Sequence, residues 1–460
     1  MRKLHTFTLC LALLAVLTGC DNFLDIAPTG KVIAKTGEEY RQMLTYEYST
    51  FPEDRGFASL RSDELTMSPT ATSPEDYSSY FDIWRWNDAA PSTSTAAPNW
   101  RRYWHVIYIA NYIIENQGQI TSASKKEIEQ LVGECYMLRA YCHFLLANLF
   151  AQPYTKVNPE TTRGVPLQLQ ADVKTIPHCS SLKAVYEQVL SDIDEAAKHL
   201  NVEKWDEGQT YRFNVISAQA LKARVCLYKG DWQGALKAAQ EVLAKHGELE
   251  DLNASGGVLP NHYKSVESIV ALEQVMTNNY KQVGRPSESV IGIYKKGDQR
   301  KSRYMERKGS QTYVLLKGGS NEYRCSFRSA EAYLIAAEAA TQMGQLSEAR
   351  QYLSALMEKR YKPAVCAKYV DELNAMNQQQ LLAEVYDERF RELAFEGFRW
   401  DDLRRTTQPM LTKTYKDETF QLKEHDARYT LRFPADAVAA NPELEVWPCL
   451  LYTSPSPRDA

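Results

Sequence analysis

A segment of the chain recurs after 114 residues, and this repeat constrains the fold more than any other feature. Residues 213–245 read FNVISAQALKARVCLYKGDWQGALKAAQEVLAK, residues 327–360 read FRSAEAYLIAAEAATQMGQLSEARQYLSALMEKR, and the two align without gaps. In each copy a glycine, Gly230 or Gly344, closes a first helix, and a small residue follows on a second helix where the pair packs closely. This design is typical of tetratricopeptide repeats, which bury their apolar faces only by stacking. The repeat therefore predicts an all-α scaffold.

Two weaker helix pairs extend this scaffold. Residues 125–200 have an amphipathic helical pattern at each end and resemble one degenerate repeat. Residues 99–117 are also helical in pattern, and residues 37–48 are a candidate partner for them. About four helix pairs are therefore expected in one continuous body.

Two stretches between the helix pairs are not repeat-like. Residues 49–98 are rich in Ser, Thr, Pro and Asp, and residues 252–324 are rich in Gly, Asn and Tyr. Alternating runs at 268–275 and 312–316 predict minor strands. Long irregular excursions on a rigid scaffold often carry binding sites, so these stretches predict a loop-rich ligand-binding half.

The N-terminus has the order of a bacterial lipoprotein signal. Arg2 and Lys3 are followed by an apolar stretch at 7–17 and by Leu-Thr-Gly before Cys20. We expect residues 1–19 to be removed and Cys20 to carry the lipid. No later stretch is apolar for long enough to cross a bilayer, so membrane attachment would depend on this lipid alone.

Charge and cysteine patterns argue against several classes of function. The 54 basic and 58 acidic residues give a formal net charge of −4 without a long basic run, which disfavours nucleic acid as a partner. The histidines and cysteines show no spacing typical of metal ligands, and no cofactor or metal is predicted. Cys135 and Cys142 lie two helical turns apart, too far for a disulfide within one helix, and are interpreted as small buried residues.

Residues 381–405 are predicted to form one helix rich in both charge signs. Glu388, Glu392 and Glu396 follow one another at spacings of four, with arginines nearby. Paired acids beside an arginine could perform hydrolytic chemistry. A salt-bridge network that ties the helix to its neighbours is the favoured interpretation, because no positioned partner is visible, and no catalytic residue is assigned.

The chain resembles the SusD/RagB family of outer-membrane lipoproteins over nearly its whole mature length. The motifs that carry the resemblance are residues 20–25 followed by Pro28, the helix with Trp104, Ile107 and Asn111, the repeat with Gly344, residues 388–393 and 396–399 with 402–405, and Phe433-Pro434 before Asn441-Pro442. The resemblance implies a tetratricopeptide-type scaffold displayed outside the cell, capping a SusC-like TonB-dependent transporter. It also implies a structural role for the acidic helix.

The C-terminus departs from this family pattern. Where the family usually continues past Pro442 into a Gln-Asn-Pro-Gly-aromatic sequence, this chain runs through Trp447 and Cys449 to a Ser/Pro-rich end. Residues 449–460 are interpreted as a foreign tail, which leaves residues 20–448 as a single SusD-like body.

The resemblance also implies ligand contacts from exposed aromatic, amide, acidic and basic side chains of the two excursions. If residues 80–87 are extended, Trp84 and Trp86 point the same way and form a stacking platform; if the run belongs to the core, they are buried. The full set of candidates is Asp63, Trp84, Arg85, Trp86, Asn87, Tyr280, Tyr294 and Arg303.

Four functional hypotheses follow. The preferred one is a surface lipoprotein that captures oligosaccharide for the transporter without covalent chemistry. A RagB-like protein that binds peptide for the same kind of transporter, an enzyme with paired carboxylates, and a pure assembly scaffold are the alternatives. No motif distinguishes carbohydrate from peptide.

Overall fold

The computed structural model describes residues 34–68, 74–309 and 312–445, and within these ranges helices predominate. The predicted signal at 1–19, Cys20 and the tail at 449–460 lie outside the described residues. The helices are α1 (Gly37–Ser49), α2 (Gly56–Arg61), α3 (Pro74–Trp84), α4 (Trp100–Asn116), α5 (Lys125–Phe150), α6 (Leu182–His199), α7 (Val215–Lys229), α8 (Trp232–His246), α9 (Asn278–Val283), α10 (Glu288–Gly292), α11 (Arg300–Tyr304), α12 (Ser329–Gln342), α13 (Leu346–Glu358), α14 (Pro363–Ala375), α15 (Gln378–Leu393), α16 (Arg399–Arg405) and α17 (Ala435–Ala440).

Eight of these helices form the repeat scaffold. Helices α1, α4, α5, α6, α7, α8, α12 and α13 pack each against the next in that order. Phe213 and Phe327, at equivalent positions of the two clear repeats, touch with ring centroids 6.3 Å apart. Gly230 and Gly344 have φ of +78° and +75°, the left-handed conformation that lets the chain turn sharply from one helix into the next. The predicted all-α, tetratricopeptide-type fold is confirmed.

Side-chain caps explain where several scaffold helices begin. The Ser124 hydroxyl accepts from the Glu127 amide while the Glu127 carboxylate accepts from the Ser124 amide, so α5 begins at Lys125 as predicted. Asn214 and Ser217 form a similar reciprocal pair at the start of α7. Cys135 and Cys142 are fully buried on α5, as expected.

The strands are short and lie in the segments between helices. They form five antiparallel pairs, namely β1 (Leu65–Met67) with β5 (Gly284–Pro286), β2 (Arg163–Pro166) with β3 (Cys179–Ser181), β4 (Ser268–Val270) with β8 (Phe327–Arg328), β6 (Met305–Lys308) with β7 (Thr312–Leu315), and β9 (Leu411–Tyr415) with β10 (Glu418–Leu422). The predicted minor strands at 268–275 and 312–316 are confirmed in part by β4 and β7. The β1–β5 pair joins the first excursion to the second.

The prediction of one continuous helix at 381–405 is wrong. Helix α15 ends at Leu393 and α16 begins at Arg399. Between them Phe395 and Gly397 have φ of +66° and +73°, which an α-helix cannot accommodate. The Phe395 amide donates to the buried Glu64 carboxylate at 2.7 Å, so a contact from the first excursion fixes the break. Helix propensity gives no sign of such a long-range contact.

Within the described part of the chain, no helix combines the length and the apolar character needed to cross a bilayer.

Candidate ligand-binding site

The acidic residues of the C-terminal region lie in a buried network of ion pairs, here called the ionic core. Glu392 is at its centre and accepts hydrogen bonds from Arg300, Arg328 and Arg360 at 2.7–3.0 Å. The five carboxylates and five cations of this centre are Glu267, Asp298, Glu388, Glu392 and Glu396, and Arg300, Lys317, Arg328, Arg360 and Arg391. All ten side chains are buried. Charges removed from water in this way are tolerated only when they are paired and hydrogen-bonded.

The lowered pKa values of Glu388 and Glu392 indicate that both carboxyls are ionised near neutral pH. Burial alone would raise the pKa of Glu388, but the guanidinium groups of Arg300 and Arg391 outweigh it and lower the pKa to about 2. Arg360 and Arg328 likewise hold the pKa of Glu392 well below its usual range despite its burial. A general acid needs a carboxyl that keeps its proton near neutral pH. The geometry therefore supports the structural interpretation of these residues.

The predicted tryptophan platform is wrong. Residues 80–84 are the last turn of helix α3 rather than an extended strand. Trp84 and Trp86 are 0% and 1% exposed, and they belong to two separate apolar clusters. The indole N–H of Trp84 donates to the Leu65 carbonyl at 2.8 Å and that of Trp86 to the Arg61 carbonyl at 2.9 Å. Both rings pack inside the fold, so neither offers a face to a ligand.

Arg85 and Asn87 take part in a hydrogen-bond network around Asp82 that holds the loop after helix α3 in place. Both donate to Asp82 Oδ1 at 2.9 Å, and Asp82 Oδ2 accepts from the Ser92 amide and the Thr95 hydroxyl. These bonds outweigh the effect of burial and lower the pKa of Asp82 to about 2. Asn87 still lines a cavity of about 590 Å³ between residues 82–98 and 431–445.

The other four predicted residues are dispersed. Asp63 accepts two hydrogen bonds of 2.8 Å from Arg399. Tyr280 and Tyr294 are buried, and the Tyr294 hydroxyl donates to the Arg391 carbonyl. Arg303 is half-buried and donates to the carbonyls of residues 252 and 254. The structure does not gather the eight predicted residues into one site.

A larger cavity, of about 680 Å³, lies between the end of α1, the segment 207–211 and the second excursion, and is here called the tyrosine groove. Its volume falls within the roughly 300–1,000 Å³ typical of ligand sites. The residues that line it are Thr45, Tyr48, Ser49, Glu207, Gly208, Thr210, Tyr211, Tyr263, Ala271, Leu272, Asn321, Glu322 and Arg324. Among them Tyr211 and Tyr263 are half-exposed, whereas Glu207, Asn321 and Glu322 are exposed.

Hydrogen bonds hold the walls of the tyrosine groove in place. The Tyr263 hydroxyl donates to Glu207 at 3.4 Å, and the Tyr263 amide donates to the Glu322 carbonyl at 2.9 Å. Arg324 donates to the Leu272 carbonyl at 2.7 Å and forms an ion pair with Glu53 at 2.8 Å. Aromatic faces beside carboxylates, an amide and a guanidinium form a surface that can stack on a ring and hydrogen-bond its substituents.

Segment 201–212, which lies between two of the predicted helices, borders a third cavity, of about 460 Å³. Trp205 and Arg212 line that cavity, and the Arg212 guanidinium lies over the rings of Trp205 and Tyr211, 5.1 and 5.4 Å from their centroids. The sequence itself contains a pattern that could have identified this region as a candidate site. The stretch WDEGQTYR combines two aromatic residues with turn-forming and charged ones outside any helical pattern.

The described residues contain no group of three or more His, Cys, Asp or Glu side chains placed to bind a metal ion.

Comparison with known proteins identifies the family of this chain. A family model described as the SusD family matches residues 195–453, and one described as "Starch-binding associating with outer membrane" matches residues 23–227. SusD-like protein P38 of Formosa agariphila is 24% identical, over 86% of this chain and 90% of its own length.

Solved structures agree with this result at the level of the fold. A SusD superfamily protein from Bacteroides thetaiotaomicron superposes with a TM-score of 0.73 at 21% identity, covering 89% of this chain and 98% of that one. A laminarin-binding SusD-like protein superposes with a TM-score of 0.59 at 20% identity, covering 81% and 92%. Because the first family model spans more than half of the sequence, the chain belongs to the SusD family.

Proposed function

We propose that this protein is a cell-surface lipoprotein that captures oligosaccharide in the tyrosine groove and delivers it to a SusC-like TonB-dependent transporter, without covalent chemistry. The observation that carries the proposal is the pairing of tyrosine faces with exposed carboxylate and amide groups in a groove of about 680 Å³ in a SusD-family chain. The starch-binding description of the second family model and the laminarin-binding neighbour support a carbohydrate ligand.

The chemistry of the groove suits a sugar. The C–H face of a pyranose ring packs on an aromatic ring, for which Tyr211 and Tyr263 are the candidates. Glu207 and Glu322 can each accept hydrogen bonds from neighbouring hydroxyls, and Asn321 can both donate and accept. Arg324 is held by Glu53 and the Leu272 carbonyl, so its position is set before the ligand arrives.

Membrane attachment is part of the same proposal. Cys20 would carry the lipid after removal of residues 1–19, and residues 20–448 would form one body in the outer membrane, facing the exterior. Residues 449–460 would be dispensable, so a chain that ends at residue 448 should bind glycan like the longer one.

The test is calorimetry on residues 21–460 with laminarin oligosaccharides, maltooligosaccharides and a wider glycan panel. Saturable binding is expected. Tyr263→Ala and Glu322→Gln should each weaken it at least about tenfold, the effect of about 1.4 kcal/mol, with an unchanged unfolding midpoint. The matched control is Tyr108→Ala, a half-buried tyrosine on α4 that does not line the groove.

Three results would count against the proposal. Binding that survives both groove variants would move the glycan site elsewhere. Binding of peptides but of no glycan would favour the RagB-like alternative. If the protein binds no small ligand but does bind the transporter, a scaffold role would be favoured.

A further inference from the structure

One loop of the scaffold exposes an unusual amount of apolar surface. Within the described part of the chain six large apolar side chains are exposed, and three of them lie in residues 168–178, the apolar loop between β2 and β3. Val173 is 79% exposed, Ile176 58% and Leu169 39%. Single exposed apolar residues are common, but three within one short loop indicate a contact surface.

Hydrogen bonds fix the base of the apolar loop. Asn111 on α4 donates to the carbonyls of Gln168 and Gln170 at 3.0 and 3.1 Å. The Ala171 amide donates to Glu115 at 2.9 Å. On the far side, the Asn441 side chain donates to the Pro177 carbonyl at 3.1 Å. The exposed side chains therefore project from a backbone that is already held in place. Little further conformational entropy of the loop is lost when a partner binds.

The apolar loop lies at the end of the fold where the described chain begins. Glu115, its contact on α4, is in the last turn of that helix. The chain then makes a single turn of 3₁₀-helix and reaches Thr121, whose amide donates to the Lys35 carbonyl at 2.8 Å. Thirteen residues, 21–33, separate this end from Cys20, and a chain of that length reaches at most about 45 Å. A lipid on Cys20 would keep this end of the body within that distance of the membrane.

We infer that the apolar loop inserts Val173 and Ile176 into the headgroup region of the lipid surface and acts as a second membrane contact beside the lipid anchor. The inference rests on the lipidation of Cys20 in the proposed function. The two exposed branched side chains of the loop give the body a second point of contact besides the lipid on Cys20, and their buried apolar area adds to the strength of attachment. Lys174 lies between them, where its ammonium group can reach lipid phosphates.

The size of the surface favours lipid over a protein partner. A stable protein interface takes about 20–30 residues from each side, more than one loop of eleven residues supplies. A lipid surface has no such requirement, because each inserted side chain contributes separately through its buried apolar area.

The test uses the mature chain with Cys20→Ala, which keeps the whole body but carries no lipid, and vesicles of phosphatidylethanolamine and phosphatidylglycerol in equal parts. The anchor-free protein is expected to co-sediment with these vesicles. Val173→Asp and Ile176→Asp should each lower the partition coefficient at least about tenfold. Val266→Asp, which changes an exposed valine outside the loop, should leave it unchanged.

Three results would overturn the inference. The anchor-free protein could stay in the supernatant, or the loop variants could sediment like the parent. Binding only to membranes that contain the transporter, lost on Val173→Asp, would assign the loop to a protein partner. Calorimetry on the same variants should show unchanged glycan binding, and palmitate labelling tests Cys20 separately, so a failure of the loop is distinguishable from a failure of the proposed function.

Discussion

Arg328 donates to Glu392 twice, from Nη1 to the carboxylate at 2.7 Å and from Nη2 to the main-chain carbonyl at 3.0 Å. The first contact joins the start of the downstream repeat to helix α15 through a fully buried charge pair. Glu392→Gln would leave Arg328, Arg300 and Arg360 short of one negative charge. We expect the free energy of unfolding to fall by about 3–5 kcal/mol, measured by urea denaturation.

The matched control is Glu372→Gln. Glu372 pairs with Lys368 on the exposed face of α14 at 3.6 Å, and such surface pairs contribute at most about 1 kcal/mol. A normal unfolding free energy in the Glu392 variant, combined with loss of a hydrolytic activity, would instead support a catalytic role for the acidic region.

The ionic core also predicts acid sensitivity. The pKa of Glu388 is lowered to about 2 and that of Glu392 well below its usual range, so in the unfolded chain both carboxyls bind protons more readily. Their contribution to stability is fully present above the unfolded value of 4.5 and is lost as the pH falls towards about 2. Urea denaturation between pH about 5 and about 3 should show a steep loss, and a flat profile would contradict the assignment.

For Glu64 we expect the opposite pH dependence of the free energy of unfolding, near neutral pH. Burial raises the pKa of its carboxyl from 4.5 to about 7, although the Phe395 amide donates to it. This stabilising contribution is fully present below pH 4.5 and is lost as the pH rises through about 7. It is on the order of 3 kcal/mol. The unfolding free energy should therefore increase when the pH is lowered from about 8 to about 5.

Glu64→Gln isolates this effect, since an amide oxygen can still accept from Phe395 but does not titrate. The variant should show a shallower slope between pH about 5 and about 8. Part of the slope should remain, because burial also raises the pKa of Asp54, to about 6. A slope equal to that of the parent would exclude Glu64 as its source.

Local patterns were sufficient to predict the scaffold. The apolar periodicity, the serine before Lys125 and the glycines at 230 and 344 act within one or two turns of the chain, and each is visible in a single window of sequence. The break after Leu393 was not predictable in this way. It depends on Glu64, which lies more than three hundred residues away along the chain.

The candidate site was predicted less well, because it is assembled from distant segments. Tyr48, Tyr211, Tyr263 and Glu322 meet only after the repeats have stacked, and no window of sequence contains more than one of them. The prediction of a stacking platform at Trp84 and Trp86 was wrong for another reason. A short aromatic run is compatible with both a strand and a buried helix, and only tertiary contacts decide between them.

Burial gives Trp84 a stabilising role that can be separated from ligand binding. Trp84→Ala removes a fully buried ring and the hydrogen bond to the Leu65 carbonyl, and should lower the free energy of unfolding by about 3–5 kcal/mol. Calorimetry below the unfolding transition should still give a normal glycan affinity. Tyr263→Ala should do the reverse. Loss of affinity in a stable Trp84 variant would restore the stacking hypothesis.

Gly397 should be intolerant of any side chain. Its φ is +73°, and a Cβ there would lie 2.7 Å from the Arg55 carbonyl oxygen, a main-chain atom that cannot move aside cheaply. Gly397→Ala therefore combines backbone strain with a steric clash. It should destabilise the protein by more than about 1 kcal/mol in urea denaturation.

The matched control is Gly118→Ala, in which the added Cβ meets no heavy atom within 4 Å. That control should be neutral or stabilising by up to about 1 kcal/mol, because alanine restricts the unfolded chain. Equal effects in the two variants would show that the turn between α15 and α16 does not require a left-handed residue.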